Sequence, residues 1–161
     1  MTIAEGDTLP EATFIRIGEN GPEQVKLSDK VKGRKVAIFA VPGAFTPTCH
    51  SAHMPSFVRN KAAFDAKGVD EIICLSVNDA HVMKQWGLAT GATEAGITLL
   101  ADPTGAFASA IGMQFDSPGP GMYGRSKRYA MYAEDGVVKV WSPELSRGCE
   151  MSGGEALLAA I

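Results

Sequence analysis

Cysteine is scarce in this chain: three residues in 161, an odd number, with no pair spaced C-x-x-C. That pattern argues against a disulfide framework and for thiols kept reduced. It also leaves a dithiol–disulfide oxidoreductase without one of its two sulfurs, because the relevant run reads Thr46-Pro47-Thr48-Cys49. Positive charge is not in excess either. Lys and Arg total 15 against 18 Asp and Glu, a net charge of −3, and only Arg125, Lys127 and Arg128 cluster, so no nucleic-acid partner is expected. No apolar run approaches the roughly 18 residues that cross a bilayer, so no membrane partner is expected. The opening MTIAEGDTLPEATF lacks a basic stretch followed by an apolar one. A cytoplasmic protein is the expectation. Repeats, low-complexity tracts and linkers are missing too, and 45% hydrophobic with 20% charged residues suits a single domain over 1–161.

What is there is an alternation of apolar runs with helical stretches. VAIFAV (36–41), EIICLSV (71–77) and ITLLA (97–101) read as strands, with helices predicted over about 47–66 and 79–89. This implies βαβ units around a largely parallel core. Pro55 falls inside the first helix and should bend it, since its ring removes a backbone hydrogen bond. Later, Arg128 to Ala133 and Val137 to Ser142 flank Asp135-Gly136, a hairpin signal, so those strands should be antiparallel. Asp102 reads as an N-cap for the helix that follows it, and a closing helix is predicted over Gly154 to Ala160 with Ser152 as its cap.

The run VPGAFTPTCHSAHMP (41–55) carries the chemistry. Pro42-Gly43 ends a strand, Thr46 reads as an N-cap and Pro47 as the first helical residue, which puts Cys49 near the third helical position. There the helix dipole and unpaired N–H groups favour thiolate over thiol. His53 lies four residues on, nearly on the same helix face. A Cys/His pair is conceivable, but a packing or interface role for His50 and His53 is preferred. Cys49 and His53 could be two metal ligands, yet no further cluster completes a site, so neither metal nor cofactor is expected.

The motif Pro42-x-x-x-Thr46-x-x-Cys49, within VPGAFTPTC, resembles the active-site motif of the peroxiredoxins in the form used by the peroxiredoxin-5, or type II, subfamily. The likeness continues through CLSVNDAHVMKQWG, LLADPTGAFA and RSKRYAMYAEDGVVK, nearly the whole chain. It implies an α/β thioredoxin-like fold with a central mixed β-sheet flanked by helices. The implied activity is a thiol peroxidase acting on hydrogen peroxide and alkyl hydroperoxides through a cysteine sulfenic acid, with glutathione/glutaredoxin or thioredoxin as reductant. Cys49 is then the nucleophile, shielded by Pro42, with Thr46 and Arg128 as catalytic partners and Gly43 at the substrate site; Lys127 and Arg125 read as solvated charges. Cys74, in a strand expected to be covered on both faces, and Cys149, in a polar segment expected to be accessible and mobile, are candidate resolving cysteines. Neither is favoured. A homodimer packed around the active-site mouth is implied as well, with Met122 and Tyr123 at its interface. An alternative function is a non-enzymatic redox sensor or chaperone-like binding module that uses Cys49 only to record oxidation.

Overall fold

The β-branched run after Lys35 alternates its side chains between two buried faces: Ala37, Phe39 and Val41 on one, Val36, Ile38 and Ala40 on the other. Such a strand belongs at the centre of a sheet covered on both sides. The computed structural model, which describes residues 2–146 and 148–161, places it there. The elements run β1 (Thr13–Gly18), β2 (Gly21–Lys26), α1 (Leu27–Val31), β3 (Lys35–Val41), α2 (Met54–Ala66), β4 (Glu71–Ser76), α3 (Ala80–Ala89), β5 (Thr98–Ala101), α4 (Ala106–Ala110), β6 (Gln114–Ser117), β7 (Met122–Ser126), β8 (Tyr129–Glu134), β9 (Val137–Pro143) and α5 (Gly154–Ala160). Seven strands form one sheet in the order β2-β1-β5-β4-β3-β8-β9, and β6 and β7 pair separately. Strands β3, β4 and β5 are parallel; β8 lies antiparallel to β3 and β9 to β8. The sheet is thus mixed, as expected.

Side chains from α2, α3 and α5, among them Phe57, Met83, Trp86 and Leu157, pack on one face of the sheet. Leu27 of α1 and Phe107 of α4 join Phe14 on the other. Phe39 and Phe57 stack with ring centroids 4.0 Å apart, which fixes α2 over β3. Asp135 (φ 49) and Gly136 (φ 76) turn the β8–β9 hairpin, the left-handed pair that an Asp-Gly step supplies.

Two details differ from expectation. The bend assigned to Pro55 takes the form of a π-helical turn over Cys49–His53, closed by Met54 N–H donating to the Cys49 carbonyl. Pro55 has no N–H to give to Ser51, so the backbone widens by one residue just before it. Ser152 does not cap α5: its hydroxyl donates to Glu144, Gly153 stands at the cap position, and the Gly154 N–H donates to Ser56 Oγ at 2.8 Å instead. Asp102 is buried and does serve its helix, its carboxylate accepting from the N–H groups of Phe107 (3.3 Å) and Ala108 (3.0 Å), although Gly105 occupies the formal cap.

Candidate active site

The parallel strands β3 and β4 end side by side, and the chain leaves β3 through Pro42-Gly43. Asn78, just past β4, ties down this loop by accepting from Ala44 N–H (3.1 Å) and from Ser76 Oγ (2.6 Å). Phe45 then takes a left-handed conformation (φ 66), which is rare for an aromatic residue and reverses the chain before Thr46. The helix starts at Pro47, as its lack of an N–H permits. Thr46 does not use its side chain as a cap. Its hydroxyl donates to the Gly43 carbonyl at 2.6 Å, which leaves its lone pairs as acceptors.

Cys49 is fully buried. The register that pairs Ala40 with Tyr129 places Arg128 level with the end of β3, and its Nη2 donates to Cys49 Sγ at 3.1 Å. The same guanidinium donates through Nη1 to His53 Nδ1 at 2.9 Å. His53 Nε2 lies 2.8 Å from the Ser152 carbonyl, which only accepts, so the proton sits on Nε2 and Nδ1 is the acceptor for Arg128. The imidazole is neutral: burial, and then the charge of Arg128, push its pKa down to about 3. His53 was expected to pack, and it does, against Phe39 and Phe57, but it also holds the arginine that reaches the sulfur. The i, i+4 spacing from Cys49 was the available signal; the partner on β8 was not visible in it. His50 is occupied elsewhere, accepting from Trp86 Nε1 at 3.0 Å.

A cleft of about 310 Å³, lined by Pro42, Thr48, Phe115, Lys127, Arg128 and Glu144 among others, opens over the site. A cleft of about 370 Å³ beside α3 and β5 is larger, but no cysteine or histidine lines it. Gly43 is buried, and a Cβ there would come within 3.1 Å of Thr46 Cγ2 and 3.2 Å of Arg125 Nη1. Arg125 is therefore not the solvated charge expected; it is half-buried against the Pro42-Gly43 loop, with Nη1 3.4 Å from the Pro42 carbonyl. Lys127 is exposed.

All three cysteines are free thiols. Cys74 is buried in β4 opposite Phe39, and burial, with the nearby Cys49, pushes its thiol well up. Cys149 was expected to be accessible and mobile, yet it is half-buried in a loop pinned by Glu144, and burial pushes its thiol up too. Met122 is partly buried beside Gly43, while Tyr123 is 64% exposed. Among the described residues no three of His, Cys, Asp or Glu converge in a way that could hold a metal.

A thiol at a helix start, met by an arginine at the end of a mixed sheet, agrees with the comparisons. The family model described as Redoxin matches residues 4–152. The chain is 43% identical to Peroxiredoxin-2E-2, chloroplastic, of Oryza sativa subsp. japonica, covering 99% of this chain and 73% of that one. It is 39% identical to Peroxiredoxin-2E, chloroplastic, of Arabidopsis thaliana, over 99% and 70%. Among solved structures, reduced Prx3 of Vibrio vulnificus in complex with H2O2 superposes with a TM-score of 0.92 at 43% identity, over 99% of each chain. The chain belongs to the redoxin family, as a peroxiredoxin of the thioredoxin-like superfamily. Thiol-dependent removal of peroxides is the activity that goes with that membership. One expectation is overturned: a cytoplasmic location does not stand beside two relatives of this similarity that are named chloroplastic.

Proposed function

We propose that the chain reduces hydrogen peroxide and alkyl hydroperoxides with Cys49 as the nucleophile. The observation that carries this reading is the contact of Arg128 Nη2 with Cys49 Sγ at 3.1 Å, braced by His53. The Cys49 thiolate attacks the terminal peroxide oxygen; an S–O bond forms as the O–O bond breaks, giving a sulfenic acid and an oxyanion that takes up a proton and leaves as water or alcohol. Arg128 donates to the sulfur and to the leaving oxygen, a charge already in place where charge develops. Thr46, whose proton is committed to Gly43, accepts from the hydroperoxide O–H, and Pro42 keeps water from the sulfur. The Vibrio relative's complex with H2O2 supports this substrate class.

The sulfenic acid is returned to the thiol by glutathione with glutaredoxin or by thioredoxin. Cys74 and Cys149, whose thiols burial disfavours as thiolates, are not required for turnover. A homodimer formed around the mouth of the site is part of this reading, and the exposed Tyr123 and Phe45 support it. The names of the two plant relatives support a plastid setting. The test is peroxide turnover with the two reducing systems side by side, for the wild type and Cys49→Ser. Turnover vanishes in the variant while the fold remains; appreciable turnover without the Cys49 sulfur would end the assignment.

A further inference from the structure

The segment after β9 folds back over the cleft around one carboxylate. Glu144 accepts from the N–H groups of Glu150 (3.2 Å), Met151 (3.1 Å) and Ser152 (3.0 Å) and from Ser152 Oγ (2.7 Å). Its own N–H donates to the Arg128 carbonyl at 3.0 Å. Three successive N–H groups converging on one carboxylate fix the direction of the peptide that follows, and the Ser152 carbonyl is the group His53 Nε2–H meets. We propose that Glu144 is a positioning residue for Arg128, acting through the Ser152 carbonyl and the tautomer of His53.

The logic is one of donors and acceptors. With the Ser152 carbonyl held in place, the imidazole proton stays on Nε2 and a lone pair on Nδ1 receives Arg128 Nη1, leaving Nη2 for the sulfur. If that carbonyl drifts, the Nδ1–H tautomer becomes available and turns a donor toward a guanidinium that can only donate. Among the described residues Arg128 has no carboxylate partner, so its direction depends on this neutral ring. The arrangement also suits the chemistry. A carboxylate placed directly on Arg128 would offset the charge needed by the leaving oxygen, whereas Glu144 has its charge engaged by backbone N–H groups and acts on Arg128 through orientation.

The proposal rests on Cys49 as the peroxide-reactive thiol, so its test pairs two readouts. One is the rate of Cys49 oxidation by one equivalent of hydrogen peroxide; the other is the imidazole ¹⁵N spectrum of His53, recorded without peroxide. Glu144→Ala should slow oxidation about tenfold, part of the roughly 10²–10³ that loss of a preorganised donor costs, and move the His53 resonances off the Nε2–H pattern. Introduced on top of His53→Leu, the same change should slow oxidation by less than about twofold, because the relay is already cut. Glu144→Gln, which keeps the shape, should shift both readouts in the same direction by less. Equal losses with and without His53 would overturn the proposal, as would a wild-type spectrum in either Glu144 variant. A wild-type Cys49 inert to peroxide would instead remove the peroxidase reading, and the spectrum would still report on the clamp.

Discussion

His53 makes the stability of this fold sensitive to mildly acidic pH, and replacing it with Gln should remove that sensitivity. The ring is buried and neutral, held at about 3 from an ordinary 6.5 by burial and by Arg128. Between those values the unfolded chain takes up a proton that the folded chain refuses. Folding stability therefore falls as pH drops through 6.5 and continues to fall toward 3. An unfolded histidine of pKa 6.5 is about one quarter protonated at pH 7 and nearly fully protonated at pH 5, which corresponds to roughly 2 kcal/mol lost between the two. With a urea dependence of about 2 kcal/mol per M, typical of small proteins, the unfolding midpoint should move down by about 1 M. The assay is urea unfolding followed by circular dichroism at pH 7, 6 and 5, comparing the wild type with His53→Gln. Stopping at pH 5 stays above 4.5, the ordinary glutamate value at which the unfolded chain takes up the protons that Glu71, Glu144 and Glu155, all held lower in the fold, refuse. The Gln variant should lose most of the shift. An equal shift in both proteins would refute a buried neutral His53.

Arg128→Ala should slow Cys49 oxidation by roughly two orders of magnitude, the scale for one lost preorganised charge, as read by stopped-flow fluorescence; an unchanged rate would assign the work to another cation. Thr46→Val, which loses the acceptor and the bond to Gly43, should cost less, about tenfold. Gly43→Ala should slow peroxide reaction severalfold with little change in Tm, because the added methyl meets Thr46 Cγ2, Arg125 Nη1 and Met122 Cε between 3.1 and 3.3 Å; a wild-type rate would show that the loop gives way freely. Cys74→Ser and Cys149→Ser should each retain substantial glutathione-supported turnover. Mass spectrometry after one equivalent of peroxide tests this: a near-quantitative Cys49–Cys74 or Cys49–Cys149 disulfide, with turnover lost when that partner is replaced, would contradict it.

The interior strands of the fold were legible because burial on both faces leaves unbroken apolar runs, as in Lys35–Val41 and Glu71–Ser76. The β8–β9 hairpin was legible because Asp135-Gly136 meets a backbone requirement. The β1–β2 hairpin escaped: β2 is a sheet edge with three exposed residues in a row and Pro22 inside it, so it carries no apolar alternation. Strand β7 escaped within a Gly- and Pro-rich stretch that reads as a turn. In the site, local spacing pointed to Cys49 and Thr46, but the contacts of Arg125 with Pro42 and of Glu144 with Ser152 depend on where β7 and β9 deliver their ends. Ser152 looked like a cap because it precedes a helix; a carboxylate eight residues earlier competes for its hydroxyl and wins.

The π turn at Cys49–His53 sets the rotational phase of the helix. An α-helix advances about 100° per residue, so one residue more in a single turn shifts everything before it by that angle relative to everything after it. The aromatic stripe of α2, with Phe57 and Phe64 on the core, is therefore indexed to one bearing and Cys49 to another. Restoring an N–H at position 55, by Pro55→Ala, would let this segment return to regular α-helix and leave the hydrophobic packing of α2 intact. With the residue count unchanged, that return would swing the sulfur about a quarter of a turn around the axis, away from Arg128. The backbone hydrogen-bond pattern of this short segment, as much as its side chains, is thus a reactivity determinant: Pro55 sets the bearing of the thiol while the core keeps its own.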